Sequence, residues 1–170
     1  MDTLDFALLI LRLAVGLTFA AHGAQKLFGW WGGSGWDGWR GVMAKMGFRP
    51  VGLFAGMSAL TEFGGGLFLA LGLGIPIVAP AFMGLVIVII AKVHLRNGFF
   101  VSKSGIEFPF NLGIGALVVG LLGPGRFSID AAVGIAPATG LRIVLLLLGA
   151  GVGLLTLLIP RLATSETASA

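Results

Sequence analysis

Long apolar stretches separated by short polar segments run along most of this chain. Five of them predict membrane-spanning helices, since a helix needs about 20 residues to cross a hydrocarbon core of about 30 Å. The predicted spans are residues 6–28, 50–73, 75–96, 108–123 and 141–159. Glycine and proline between the second and third spans predict a tight hairpin. The fourth span is short, so we expect it to begin earlier, to be shielded by its neighbours or to lie where the bilayer thins.

The composition strengthens this interpretation. Hydrophobic residues make up 57% of the 170 residues and charged residues 11%, whereas a soluble domain has about 25% charged residues. The predicted fold class is therefore an all-α, polytopic transmembrane helix bundle, and a soluble helical domain is disfavoured. The acidic start of the chain lacks the basic region of a signal peptide, so we expect the first apolar run to be a retained helix.

Lysine and arginine are distributed unequally between the two sides of the predicted bundle. With five spans, one side carries Lys26, Arg40, Lys45, Arg49, Lys92, Arg96, Lys103 and Arg161, and the other carries Arg126 and Arg142. The positive-inside rule places the first side in the cytoplasm, so we expect the N-terminus outside and the C-terminus inside. The net charge of +4 does not indicate a nucleic-acid partner, because the basic residues lie beside apolar runs.

All four tryptophans of the chain lie between the first two spans, in the segment 29–49. Tryptophan favours the headgroup region of a membrane, so this segment is predicted to be an interfacial loop or a short surface helix. An aromatic lid over a lipid-soluble substrate is the alternative interpretation.

Glu62 is the one charged residue between residues 50 and 91. An acid at the centre of a membrane helix costs about 2.5–3.5 kcal/mol, so a partner or a function is expected for it. Counting from the span centres places Glu62 between the levels of Arg12 and His22 on the first helix. An Arg12–Glu62 ion pair that locks two helices is the favoured explanation, and a proton relay or a quinone-binding group is the alternative.

The polar residues of the spans fall into two predicted layers. Together with Glu62, the cytoplasmic layer supplies the candidates for a substrate or quinone pocket, which are His22, Lys26, Glu62, His94 and Glu107. The candidates for structural ion pairs are Arg12, Glu62, Arg126 and Asp130. The two histidines could hydrogen-bond a quinone carbonyl, relay a proton or ligate haem.

The absence of cysteine narrows the chemistry. Disulfides, thiolate catalysis, cysteine-based zinc sites and iron–sulfur ligation by this chain are excluded. We expect no metal site. The sequence does not identify a cofactor; quinone is a candidate ligand, and haem is disfavoured because nothing in the sequence requires it.

A series of short motifs, taken in order, resembles the DoxX family. The motifs are Leu11–Arg12–Leu13, His22–Gly23, Lys26–Leu27–Phe28–Gly29, Glu62 followed by glycines, His94 with Gly98–Phe99, Glu107–Phe108–Pro109 and Gly123–Pro124–Gly125–Arg126–Phe127–Ser128–Ile129–Asp130. Their order and spacing extend over residues 8–130, about three quarters of the chain.

The resemblance implies a multi-pass protein of a prokaryotic plasma membrane with a core of four transmembrane helices. On that basis we interpret residues 1–135 as the core, residues 136–160 as an additional fifth helix and residues 161–170 as a disordered tail. The interfacial segment 29–49 belongs to the core. Namesakes in the family are associated with terminal quinol oxidase, and the similar DoxD subunit belongs to a thiosulfate:quinone oxidoreductase.

The favoured function is that of a small membrane subunit of an oxidoreductase system, which contacts quinone or a redox partner through a polar intramembrane pocket. Family membership does not establish catalysis by the chain itself. The alternatives are a non-catalytic scaffold that docks a partner protein and a carrier of protons or small solutes. The expected partners are the lipid bilayer and a protein of a redox complex, with a homo-oligomer as a further option.

Overall fold

In a computed structural model, residues 2–159 are described and form helices joined by short turns. The helices are α1 (Thr3–Phe28), α2 (Gly35–Lys45), α3 (Val51–Leu71), α4 (Ile75–Asn97), α5 (Glu107–Leu122), α6 (Ile129–Ala132) and α7 (Thr139–Thr156). Helices α1, α3, α4 and α7 are long and apolar enough to cross a membrane, and α5 is a shorter apolar helix. No β-strand occurs between residues 2 and 159. The all-α multi-pass bundle and its C-terminal helix are thus confirmed, while the predicted tail 161–170 lies outside the described residues.

Helices α3 and α4 form the predicted hairpin. Gly72 and Gly74 adopt left-handed backbone conformations, with φ of 66° and 64°, which glycine adopts at little cost. A proline follows at the second position of α4, where its missing N–H is not needed. Each of the two helices also contains one π-helical turn, at Thr61–Gly65 in α3 and at Ile90–His94 in α4.

Close backbone contact fixes the register between α1 and α3, which run antiparallel. The facing pairs are Gly16 with Ala70, Ala20 with Gly66, and Gly23 with Phe63. A methyl group added at Gly16 or Gly66 would lie within 2.6 Å of the opposing backbone, so only glycine allows the helices to approach this closely. Residue numbers therefore fall along α1 by the same amount as the numbers of the facing residues rise along α3.

The segment after α5 explains why that helix is short. With 16 residues, α5 is about 24 Å long. The chain then turns back over the end of the bundle, where the carbonyl oxygen of Phe127 contacts Arg12 inside α1. Irregular backbone is tolerated at such depth when protein groups cover it. This contact favours shielding by neighbouring elements, one of the three expectations for the short fourth span.

Helix α7 packs directly against the backbone of α4. A methyl group added at Gly149 would collide with the carbonyl of Pro80, and one at Gly153 would collide with Gly84. Leu146 of the same helix is buried in the main hydrophobic core. The C-terminal helix is thus an integral part of the bundle.

The tryptophan-rich segment forms a 3₁₀ turn, Trp30–Gly32, followed by α2. Three of the four tryptophans are exposed, with Trp31 the most exposed at 70%. Met43 and Phe48 anchor the segment in a small buried cluster. A short surface helix, one of the two predicted forms, is therefore the conformation adopted.

The turns of the chain lie alternately at two ends of the bundle. The backbone N–H of Arg126 donates to Asp5 at 2.9 Å, so the start of α1 and the loop after α5 share one end. At the other end, Lys45, Lys92 and Leu157 line one cleft. The basic residues concentrate at this second end, and we expect it to face the cytoplasm.

Single cysteines provide a direct test of this orientation, because the chain has none of its own. Ser102, before α5, and Ala136, before α7, are both exposed. We expect Ala136→Cys to react with a membrane-impermeant maleimide in intact cells, and Ser102→Cys to react only after the membrane is opened. The reverse labelling pattern would show that the bundle has the opposite orientation.

Candidate functional site

A buried ion pair joins α1 to α3. Lys26 Nζ lies 2.5 Å from Glu62 Oε1, and the two side chains are 15% and 3% exposed. The indole ring of Trp39, from α2, covers the ammonium group, with its centroid 4.1 Å from Nζ. Burial strengthens the attraction between the charges, and the aromatic face gives the cation a second favourable contact. Three helices therefore meet at one cation.

The second carboxylate oxygen of Glu62 has no partner within residues 2–159. This atom, Oε2, is buried and accepts no hydrogen bond from the described part of the chain. Leaving a buried acceptor unsatisfied costs about 1–3 kcal/mol. Glu62 also lies in the π-turn Thr61–Gly65, and such turns are frequent at functional sites. The carboxylate is therefore placed where a hydrogen-bond donor would be stabilised.

Trp39 connects the ion pair to a cavity that begins one turn away along α3. Its indole N–H donates to Ser58 Oγ at 2.9 Å, and the Ser58 hydroxyl donates to the carbonyl of Ala55 at 3.1 Å. Ser58 lies about one turn before Glu62 and lines a cavity. One side chain thus contacts the ion pair with its ring and the cavity wall with its N–H.

This cavity lies between α2, α3, α4 and α7 and has a volume of about 310 Å³. Among the described residues its lining includes three hydroxyl side chains, those of Ser58, Thr61 and Thr156. Most of the other lining side chains are apolar, among them Met43, Phe48, Phe54, Met57, Leu85, Val88 and Val152. Small-molecule sites occupy about 300–1,000 Å³ and combine apolar walls with a few polar groups. The lining suits an apolar ring with polar atoms at its edge.

The predicted pocket residues do not all converge. Lys26 and Glu62 form the ion pair, and His22 lies one turn before Lys26, half-buried, with its ring centroid 5.3 Å from that of Phe108. The two remaining candidates, His94 and Glu107, hydrogen-bond elsewhere. The sequence analysis placed Lys26 and Glu62 in one candidate group without predicting that they pair, and it grouped them with residues that have other contacts.

His94 and Glu107 hold the loop between α4 and α5. His94 Nδ1 lies 2.7 Å from the carbonyl oxygen of Ser104, and Glu107 Oε2 accepts a hydrogen bond from the backbone N–H of Val101 at 2.8 Å. Neither side chain hydrogen-bonds the Lys26–Glu62 pair in the described structure. Their contacts fix the loop and do not add to the site.

The predicted Arg12–Glu62 ion pair is wrong, because Glu62 pairs with Lys26. Arg12 is fully buried towards the opposite end of α1, where its Nη2 donates to the carbonyl of Phe127 at 2.5 Å. The glycine-determined register places Glu62 opposite Ala24, which is twelve residues, or about 18 Å along the helix, from Arg12. Counting from the span centres misjudged the register by about two helical turns.

Asp130 and Arg126 form no ion pairs within residues 2–159, where the pairs are Lys26–Glu62 and Arg40–Asp37. The Asp130 carboxylate is fully buried and caps the start of α4, accepting the backbone N–H groups of residues 74 and 75 at 2.7 and 2.8 Å. A negative charge is favourable at a helix N-terminus. Both residues were predicted to form ion pairs. Instead, the Asp130 side chain accepts backbone hydrogen bonds, and the Arg126 backbone N–H donates to Asp5.

The role of Trp39 is the feature that sequence reasoning missed. The tryptophan pattern predicts an interfacial segment but does not show which ring turns inward. Trp39 and the buried Met43 are four residues apart on α2 and so lie on one face. That spacing was the available signal for an inward-facing tryptophan.

The fold and the site define a multi-pass helical membrane protein with a polar pair inside its bundle. The sequence profile of the DoxX family matches residues 7–95, just over half of the chain. This chain belongs to the DoxX family. No curated protein and no solved structure shows significant similarity to it. The matched region contains the Lys26–Glu62 pair, Trp39 and the α3 and α4 walls of the cavity.

Proposed function

We propose that this protein is a small membrane subunit of an oxidoreductase system and that its apolar cavity binds the ring of a quinone. The observation that carries the proposal is the position of Ser58, which lines the cavity and also hydrogen-bonds Trp39, the residue that covers Lys26. A quinone ring is apolar, with carbonyl acceptors at its edge. The Thr61 hydroxyl lines the cavity and supplies a donor at its edge that matches that pattern, whereas the Ser58 hydroxyl already donates to the carbonyl of Ala55.

In this proposal the Lys26–Glu62 pair holds Trp39 in position and places two charged groups behind the cavity wall. Glu62 Oε2 is available to a hydrogen-bond donor. Electrons are supplied by a partner protein. The chain therefore binds and orients the quinone, and the redox centre belongs to the partner.

We further propose that α7 is an addition to a four-helix core of α1, α3, α4 and α5, within a prokaryotic plasma membrane. Helix α7 supplies Gly149, Val152 and Gly153 to the cavity lining. The added helix would thus close the ligand site on one side.

A photoreactive azidoquinone tests the quinone assignment. We expect it to crosslink the purified protein, in lipid nanodiscs, within the peptide that contains residues 57–61, and we expect excess native quinone to compete. Thr61→Val removes this donor while nearly preserving volume. The lost hydrogen bond is worth about 0.5–1.5 kcal/mol, so labelling should fall by roughly 2- to 13-fold.

Thr18→Val is the matched control, because the Thr18 hydroxyl donates to its own helix backbone at 2.7 Å, on α1 and away from the cavity lining. It should label like the unmodified protein. Crosslinks spread evenly over the lipid-facing helices, and insensitive to the Thr61 change, would overturn the quinone site and favour the scaffold function.

A further inference from the structure

A second cleft lies at the end of the bundle where the basic residues concentrate. It has a volume of about 520 Å³ and lies between the end of α2, the π-turn of α4 and the end of α7. Its lining includes the cations Lys45, Lys92 and Arg96 and the apolar residues Met46, Leu95 and Leu157. The cleft is separate from the quinone cavity, although the two are adjacent along α4.

The three cations are not neutralised by carboxylates of residues 2–159. The ion pairs of that range involve other residues. Lys92 lies instead over the ring of Phe48, with its ammonium 5.7 Å from the centroid. Three like charges around one cleft repel each other, so an anion between them would be favourable. The charge of the cleft therefore selects an anionic ligand.

The surroundings of the cleft select a ligand that also has an apolar part. Lys92 is one turn beyond Val88, which lines the apolar cavity, so the charges begin where the apolar wall of α4 ends. Leu95, in the cleft, is 58% exposed, and its neighbour Val93 is 44% exposed. Exposed apolar side chains next to clustered cations match the boundary between acyl chains and headgroups.

We propose that this cleft binds the phosphate of an anionic phospholipid, with its acyl chains along the exposed apolar surface beside α4. The phosphate oxygens accept hydrogen bonds from Lys45, Lys92 and Arg96, and Met46 and Leu157 contact the glycerol region. Basic pockets between membrane helices bind anionic headgroups by the same combination of charge and position. The site would make the bundle sensitive to the lipid composition of its leaflet.

Native mass spectrometry and thermal unfolding of the full chain test this inference. Protein is reconstituted in phosphatidylcholine nanodiscs with or without phosphatidylglycerol. We expect phosphatidylglycerol to be retained on the protein after detergent extraction and to raise the unfolding midpoint. Lys92→Gln with Arg96→Gln should weaken binding about fivefold per removed charge, or roughly 25-fold in total.

Arg40→Gln with Lys103→Gln is the control, since it removes the same charge outside the cleft. It should retain phosphatidylglycerol like the unmodified protein, and Lys92→Arg should do so as well. Unfolding in pure phosphatidylcholine establishes that every variant folds. Equal lipid retention by the cleft and control pairs would overturn the inference. Equal stabilisation by glycerol phosphate in solution would assign the cleft to a soluble anion and would also overturn it.

Discussion

Replacing Lys26 by methionine while Glu62 remains is expected to destabilise the bundle by about 3–5 kcal/mol, because it leaves a buried carboxylate without its cation. Glu62→Gln should be similarly costly, since Lys26 is then held under Trp39 without a counter-charge. The double variant Lys26→Met with Glu62→Gln should recover a large part of the loss. Unfolding of the four proteins in one detergent gives the interaction free energy directly.

The control for this cycle is Arg12→Met combined with Glu62→Gln. The two side chains lie about 18 Å apart along the helix axis and share no hydrogen-bond partner. Their effects should therefore add within about 0.5 kcal/mol. A strong interaction between Arg12 and Glu62, with additive losses for Lys26 and Glu62, would contradict the observed pairing.

Gly72→Ala is expected to destabilise the bundle through both its backbone conformation and its packing. The new Cβ would lie 1.5 Å from Arg12 Nη1 and 2.5 Å from Ser128 Cβ, at a backbone φ of 66°. The left-handed conformation costs about 1–2 kcal/mol for an L-residue, and overpacking adds about 1–3 kcal/mol. We expect a total loss of about 2–5 kcal/mol, measured as the change in free energy of unfolding.

Gly74→Ala separates the two contributions. Gly74 has nearly the same φ, 64°, but the nearest atom to its new Cβ would be a Val78 methyl group at 3.9 Å. It should therefore lose only the backbone contribution of about 1–2 kcal/mol. Equal losses at the two positions would show that Arg12 moves away without cost and that its packing against the turn is unimportant.

The fold was predictable because the features that determine it are local in the sequence. Five apolar runs and the glycine–proline turn at residues 72–76 determine helix number and order almost independently of each other. Helix boundaries in the structure lie within a few residues of those expected. The 29–49 segment was likewise predictable as surface structure from its tryptophans.

The site was only partly predictable, because it depends on register. Glu62 could be identified from the sequence because a charged residue in an apolar run raises the free energy of membrane insertion. Its partner, however, depends on where α1 and α3 make contact. Gly16, Gly23 and Gly66 set that contact by allowing the backbones to touch, and no periodicity distinguishes these glycines from the many others. Long lysine side chains add further reach, so Lys26, near the end of its helix, can meet an acid within the neighbouring one.

His94 and Glu107 illustrate a second limit. Both are polar residues at a helix end, where binding a ligand and fixing a loop require the same side chains. Their hydrogen bonds to Ser104 and Val101 are decided by the path of the loop. That path follows from tertiary packing and not from the composition of the motif.

The burial of Arg12 has a consequence for biosynthesis. Its acceptor, the carbonyl of Phe127, lies 115 residues later in the chain. At about 5–20 residues per second, a ribosome needs roughly 6–23 s to supply that acceptor. During this interval the guanidinium has left the ribosome without its native partner, and a cation in a helix centre costs about 2.5–3.5 kcal/mol to insert. The first helix is therefore expected to remain beside water or the translocon, and to settle into lipid only after residue 127 has been synthesised.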